Sequence, residues 1–444
     1  MPITPTVAVL AAVVLSVCPQ QSVGQFDSAA LAEQFRAQLL TVFTGSAGAR
    51  SSLHRQLAAM PRLGRRSPPV PEPPPETTAL CRQSGHANCE LHTVRSEDGY
   101  LLKVVRIPAA AGAVPALLLH GDLASSDSWM MRKDKSNLGT VLNAAGYDVW
   151  VANFRGSTHG RGHASLNTTD PRFWNFSWHE MGVYDIPAFV DYILAHTKAP
   201  TLHLVGHSMA SSAALVTLSV RPEYNAKIRL ASFMSPSIRF RRGIIRGTSD
   251  LTFRFFRNNV EDFLGRNDFV EIWHRSATLH AIGDIFCMDD SPLIALCYRM
   301  FEEVLGKSSP DQRLPDYLAT FGAYHPAGTS FRCIEHFGVI NLGRFRPFGK
   351  GVNDPNPPAD YNLTAVSAPV ALYYSTTDGL IDPKDVDRLA RLLPKVHDKY
   401  LVPHKRFNHV DFMWAKDARS LVYNKILSNM KELDSKLLNK NAID

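Results

Sequence analysis

The stretch Thr201–Ser219, TLHLVGHSMASSAALVTLS, limits what this chain can fold into more than any other. Thr201–Val205 is a short apolar run with the character of a buried strand. Met209–Ser219, rich in Ala, Leu and Val, predicts a helix packed against it. Between them sits Gly206-His207-Ser208-Met209-Ala210, in the strand–turn–helix context of a nucleophile elbow. The turn is sharp, so position 206 wants no side chain and Ser208 is pushed out above the sheet edge. The helix that follows aims its unpaired N–H groups at charge forming beside Ser208. Ala210 stands where the pattern has a second glycine, one methyl group more where helix and strand approach closely. The pentapeptide alone is a weak signal, because a serine in such a turn can be purely structural.

A serine hydroxyl needs a base in hydrogen-bond reach, and that base needs an orienting carboxylate. On this type of sheet the chain order is Ser, then Asp or Glu, then His. Val370–Tyr374 predicts a late strand, and its loop carries Asp378 before Gly379. The rival Asp382 precedes Pro383 and suits a helix N-cap. Lys399–Val402 predicts the last strand, followed by Phe407-Asn408-His409-Val410-Asp411. His409 is the candidate base, whereas His404, between Pro403 and Lys405, reads as exposed. An oxyanion needs two preorganised N–H donors. The amide of Met209 is one, and that of Asp122, in the loop after the strand Ala116–Leu119, is the other. The Asp122 carboxylate must then turn away, because a second negative charge would repel the oxyanion.

Elsewhere, Glu90–Arg95 and Tyr100–Ile107 alternate as two strands around Asp98-Gly99, a tight-hairpin dipeptide. Leu138–Ala145 and Tyr184–His196 predict helices, and Asp148–Ala152 and Leu230–Met234 predict strands. Strands alternating with helices predict an α/β fold: a mostly parallel central sheet with helices on both faces. Ser237–Asp360 breaks this rhythm with aromatics, arginines and apolar helical stretches at Leu251–Phe256 and Leu293–Leu305. It reads either as a mainly helical cap over the site, the favoured reading, or as a second lobe that only packs. Its Arg239, Arg241, Arg242 and Arg246 read as solvated surface. The expected organisation is therefore a core over 79–236 and 361–430, an insertion over 237–360 and a tail over 431–444.

Val7–Val17 is apolar but too short to span a bilayer, with Ser16, Cys18 and Gly24 near cleavage points, so 1–24 is expected to be a secretory signal. No later segment is apolar enough to cross a membrane. Residues 25–78 form a low-complexity lead ending in the polyproline run Ser67–Glu76. Arg65 and Arg66 mark either a solvated basic linker or a propeptide cut. Asn167, Asn175 and Asn362 open N-glycosylation sequons, as befits a luminal or secreted chain. In such a compartment near-sequence pairing suggests Cys81–Cys89 and Cys287–Cys297, leaving Cys333 unpaired. No His cluster accompanies the cysteines, so they do not suggest zinc. The net charge of +7 comes from scattered Arg and Lys with no aromatic interleaving, which gives no sign of nucleic-acid binding.

Several stretches together resemble the acid lipases of the α/β-hydrolase superfamily, the gastric and lysosomal lipases and their insect relatives. They are Glu97-Asp98-Gly99-Tyr100, His120-Gly121 with the following LASSDSW, Gly146–Trp150 with Asn153-x-Arg155-Gly156, and Phe176–Met181 with Tyr184–Ala188. Gly206-His207-Ser208, Pro326–Ser330, Asp378–Pro383 and Asn408–Phe412 complete the set, which runs from about residue 80 to 425. The resemblance implies hydrolysis of neutral-lipid esters at an oil–water or membrane surface, with Ser208 as nucleophile, Asp378 as orienting acid and His409 as base. It also implies a helical cap, a disulfide at Cys287–Cys297, oxyanion donors at 122 and 209, and no metal or organic cofactor. The family usually has Gln at 209, Gly at 210 and an apolar residue at 122; Cys81–Cys89 and the Pro-rich lead are not features of its mammalian members. A short-chain carboxylesterase on the same fold and a non-catalytic lipid carrier are the alternatives.

Overall fold

The computed structural model describes residues 77–239, 271–273, 287, 291, 294–315, 317–341, 343–351 and 354–441. The expected signal, the lead with its Arg65–Arg66 site, the helix at Leu251–Phe256 and Arg241, Arg242 and Arg246 lie outside the described residues. Two compact units are present. The larger takes in Pro75–His274, Glu302–Pro315 and Pro326–Asp444. The smaller includes Arg275–Phe301 and Asp316–His325, and within it Cys287 is disulfide-bonded to Cys297 and the Phe301 ring meets Phe321 edge-on at 4.9 Å.

The larger unit is built on one sheet. In chain order its strands are β1 (Glu90–Arg95), β2 (Tyr100–Ile107), β3 (Pro115–Leu119), β4 (Asp148–Ala152), β5 (Gly162–His163), β6 (Leu202–His207) and β7 (Ile228–Met234). A two-stranded ribbon, β8 (Glu271–Ile272) with β9 (Thr329–Ser330), stands apart, and β10 (Val370–Tyr374) and β11 (Val396–Leu401) complete the sheet. The spatial order is β1-β2-β4-β3-β6-β7-β10-β11, with β5 on β2. β1, β2 and β4 pair antiparallel, and every pair from β4 to β11 is parallel. β3, β4 and β6 are buried along their whole length, which is why they read as unbroken apolar runs. Because β7 pairs directly with β10, everything between them is inserted between neighbouring strands.

Five helices concern the site: α1 (Leu138–Ala144), α2 (Ile186–Thr197), α3 (Met209–Val220), α4 (Pro383–Leu392) and α5 (Asn424–Asn441). Side chains alternate across β6. Leu202 and Leu204 join Ile193 of α2 and Ala213 of α3 in one core cluster. His203 points the other way, to Asp434 of α5 at 2.9 Å, where Arg229 and Tyr147 also bond. α2 is preceded by a capping box, Ser177 with Glu180, and a π-turn over Met181–Asp185, so the helical run starts earlier than the expected Tyr184. β11 begins at Val396 rather than Lys399; an edge strand need not be apolar, and the apolar window caught only its end.

Three of the stretches that carry the resemblance, those holding Asp98 and Tyr100, Arg155 itself, and Tyr184 and Asp185, meet at Arg155. Its guanidinium, buried, donates bidentately to Asp98 at 2.6 and 2.8 Å and to Asp185 at 2.6 Å, and lies 3.9 Å over the Tyr100 ring. This buried cluster ties the β1–β2 hairpin, the segment after β4 and the start of α2 into one body. Cys81 and Cys89 are disulfide-bonded, and Cys333 is the free, buried cysteine among the described residues.

Candidate active site

The site forms at the carboxyl ends of β6, β7 and β10. Ser208 sits between β6 and α3 with φ 52° and ψ −118°, a strained conformation for a residue with a side chain. Its N–H donates to Met234 O (3.0 Å), and its carbonyl accepts from Ser211 N (2.9 Å) and Oγ (2.5 Å). A Cβ on Gly206 would lie 3.2 Å from Ala210 Cβ, a tight contact, so the bare position 206 leaves room for the extra methyl of Ala210.

His409 Nε2 lies 2.8 Å from Ser208 Oγ, and His409 Nδ1 lies 3.1 and 3.0 Å from the two oxygens of Asp378. An ionised carboxylate only accepts, so Nδ1 carries the imidazole proton and Nε2 accepts from Ser208. Asp378 Oδ1 also accepts the N–H groups of Leu380 (2.8 Å) and Ile381 (3.0 Å). Burial alone would raise the Asp378 carboxyl; the His409 imidazole, the Ser235 hydroxyl and the Ile381 amide outweigh it and hold it below the usual carboxylate value. Asp378 therefore stays ionised while buried. Asp382, the rival, caps α4 instead, accepting Lys384 N–H at 2.9 Å, and His404 lies nearer the surface, bonded to Arg406 O.

The loop carrying Asp122 lies against the elbow: a Cβ on Gly121 would come within 3.2 Å of Ser208 Cβ. Met209 is the first residue of α3, so its N–H has no intrahelical partner. Asp122 Oδ1 is bonded back to Leu123 N–H at 3.1 Å, and burial pushes its carboxyl up to about 6. His120 braces the same loop, accepting Phe154 N–H on Nε2 (3.1 Å) and facing Gly121 O through Nδ1 (2.8 Å); burial pulls its imidazole down to about 4, so it is neutral.

Three supports escaped the sequence reading. Ser235, just past β7, contacts both Asp378 and His409. His207 Nε2–H donates to the His409 carbonyl at 2.8 Å, tying the His409 loop to the elbow. The insertion also reaches the site: Leu305 O accepts both Gly379 N–H and His409 N–H at 2.9 Å. Gly306, at φ +94°, makes that approach possible, since a Cβ there would fall 2.1 Å from Thr377 O. The strand-end rule could have flagged Ser235; nothing in the sequence flags Leu305.

Asp411 closes the His409 loop. Its carboxylate accepts Asn408 N–H (2.7 Å) and Ser308 Oγ–H (3.0 Å), yet burial pushes it up to about 6. A carboxyl raised in the fold binds protons more tightly there than in the unfolded chain. Its contribution is thus fully present below about pH 4 and is lost as pH rises through 6. The loss is about 3 kcal/mol for this fully buried group. Asp411→Asn should therefore flatten the decline in thermal midpoint between pH 4.5 and 7.5; an unchanged slope would contradict this.

Glu90, His92 and His196 bring ligand atoms within 4.8 Å of one another, but Arg106 donates to Glu90 (3.0 Å) and faces His196 (3.2 Å), so a cation already occupies the cluster.

The family pattern described as the alpha/beta hydrolase fold matches residues 115–415, and the partial alpha/beta-hydrolase lipase region matches residues 77–133. Lipase 1 of Drosophila melanogaster is 34% identical over 353 residues, 76% of each chain. Human gastric triacylglycerol lipase is 31% identical over 83% of this chain and 94% of its own. Lysosomal acid lipase/cholesteryl ester hydrolase of Rattus norvegicus is 30% identical over 77% of this chain and 88% of its own. The solved structure of lip1 from Acinetobacter baumannii AYE shares the fold, with a TM-score of 0.50 at 13% identity over 81% of this chain and 96% of its own. The chain belongs to the α/β-hydrolase lipases, the family of the gastric and lysosomal acid lipases and their Drosophila relatives.

Proposed function

We propose that this protein is a serine carboxylic-ester hydrolase that cleaves neutral-lipid esters, triacylglycerols or steryl esters, through an acyl-enzyme. The observation that carries the reading is the continuous contact from Ser208 Oγ through His409 to Asp378 in a chain whose relatives are named lipases. His409 Nε2 takes the Ser208 proton as Oγ attacks the ester carbonyl. The amides of Met209 and Asp122 receive the oxyanion; losing one such donor typically costs about 3 kcal/mol of transition-state stabilisation. The proton passes from Nε2 to the departing alcohol. Water then gives a proton to Nε2 and attacks the acyl carbon; collapse breaks the bond to Oγ, releases the fatty acid and returns the proton from Nε2 to Ser208. Asp378 fixes the imidazole tautomer and balances the charge of the imidazolium. No step calls for a metal or an organic cofactor.

The 237–360 insertion acts in this reading as a cap that couples lipid entry to access. Its position between two paired strands and its Leu305 contacts with the acid and base loops support that role. The protein is secreted, with glycans on Asn167, Asn175 and Asn362, all exposed. Among the described residues no helix is long and apolar enough to cross a membrane.

Hydrolysis of a long-chain triacylglycerol emulsion, compared with soluble short-chain esters across pH 4–8, tests the substrate class. Long-chain turnover that rises with interface area is expected. Turnover confined to soluble short-chain esters would make the protein a carboxylesterase, and none on any ester would favour a lipid carrier.

A further inference from the structure

Ser235 occupies a place the mechanism does not yet use. It follows β7 directly, so it lies between the strand that delivers Ser208 and the strand that delivers Asp378. Ser208 N–H donates to the neighbouring Met234 O at 3.0 Å, and Ser235 N–H donates to Tyr373 O of β10 at 2.8 Å. Its hydroxyl is wholly buried, donates to Asp378 Oδ2, and lies 2.8 Å from His409 Nδ1. The carboxylate can only accept, so the single hydroxyl proton is committed to Asp378 and an oxygen lone pair faces the Nδ1 proton.

The backbone at this position points the same way. Ser235 has φ +51°, where a glycine would sit without strain and a residue with a Cβ does not. What a glycine would lack is the one hydroxyl that touches two members of the triad.

We propose that Ser235 is a positioning residue for the Asp378–His409 couple, its hydroxyl locking the carboxylate and supplying a second acceptor to Nδ1–H while the imidazole is protonated. This rests on the hydrolase reading given above. As Nε2 takes the Ser208 proton, Nδ1 keeps its own and the imidazolium charge is shared between the carboxylate and the hydroxyl oxygen. No proton leaves Ser235. Because the site is buried, no bulk water stands ready to replace the hydroxyl once it is removed.

Two variants test this. Ser235→Ala keeps the Cβ and removes the hydroxyl; Ser235→Gly removes the hydroxyl and also relaxes the backbone. Both should lower kcat roughly 10- to 100-fold, the effect of a hydrogen bond to a charged group, with KM within about twofold. The thermal midpoint of Ser235→Gly should equal or exceed that of the parent, which separates chemistry from folding. In an Asp378→Asn background, Ser235→Ala should add less than about twofold, because its effect passes through that carboxylate. In proton NMR, the low-field His409 Nδ1–H resonance should move upfield in both variants. Ser235→Gly with parental kcat, or a full additional loss in the Asp378→Asn background, would overturn the proposal. Ser208→Ala, assayed alongside, separates the two readings: if it is inactive while Ser235→Gly is fully active, only the role of Ser235 falls.

Discussion

Ser208→Ala is expected to lower ester hydrolysis about a millionfold in kcat while leaving the thermal midpoint within a degree or so of the parent. The magnitude follows from removing the atom that forms the acyl-enzyme; what survives is the catalysis supplied by binding and the oxyanion donors alone. The stability expectation follows from local structure. The alanine keeps the Cβ, so φ 52° costs the same with or without the oxygen, and Ser208 N–H still donates to Met234 O. The one bond lost is that to His409 Nε2, at a serine 6% exposed. Rates measured on an activated ester and on a triacylglycerol emulsion should fall together, since both substrates need the same nucleophile.

Asp378→Asn is expected to cost about 10⁴-fold in kcat, whereas Asp382→Asn should leave activity essentially unchanged. An amide at 378 can present only one carbonyl oxygen, and that oxygen is claimed by Nδ1–H, the Ser235 hydroxyl and the Leu380 and Ile381 amides together. If the amide nitrogen instead faces His409, the imidazole must turn to its other tautomer. Nε2 then carries the proton and cannot accept one from Ser208. Asp382 by contrast accepts Lys384 N–H at the start of α4, a task that asparagine performs nearly as well. Steady-state kinetics on the two variants separates the orienting acid from the helix cap. Equal losses in both, or a loss in Asp382→Asn alone, would reverse the assignment.

Most of the sheet was legible because buried parallel strands are short and apolar, and β3, β4, β6 and β10 each stand out in the sequence. The edge strand β11 was caught only in part: its first residues include His397 and Asp398, half-buried polar side chains that carry no apolar signal. The candidate triad was legible for a different reason. Strand-end loops in this topology place functional side chains at one edge of the sheet, so Asp378 and His409 could be sought after the right strands. The proline after Asp382 already marked it as a helix cap and ranked Asp378 above it, and what each carboxylate accepts agrees with that ranking. The supports were not legible. Leu305 acts through its carbonyl, which every residue possesses. Ser308 and Asp411 meet only because the chain returns to the same place after a hundred residues of intervening sequence. The motif residues around Arg155 were legible as a pattern but not as a function; their contacts make them a buried ionic clamp on the scaffold.

Ser208, as a nucleophile activated by His409, should react with reagents that ordinary serines ignore. A fluorophosphonate probe tests it most directly, because the probe requires an activated serine and leaves a stable phosphonyl ester. Mass spectrometry of the labelled, digested protein should find one modified peptide, carrying the adduct on Ser208, and the adduct should be lost in Ser208→Ala and slowed by orders of magnitude in His409→Ala. An unlabelled parent protein, or an adduct that persists in Ser208→Ala, would rule out Ser208 as the activated nucleophile.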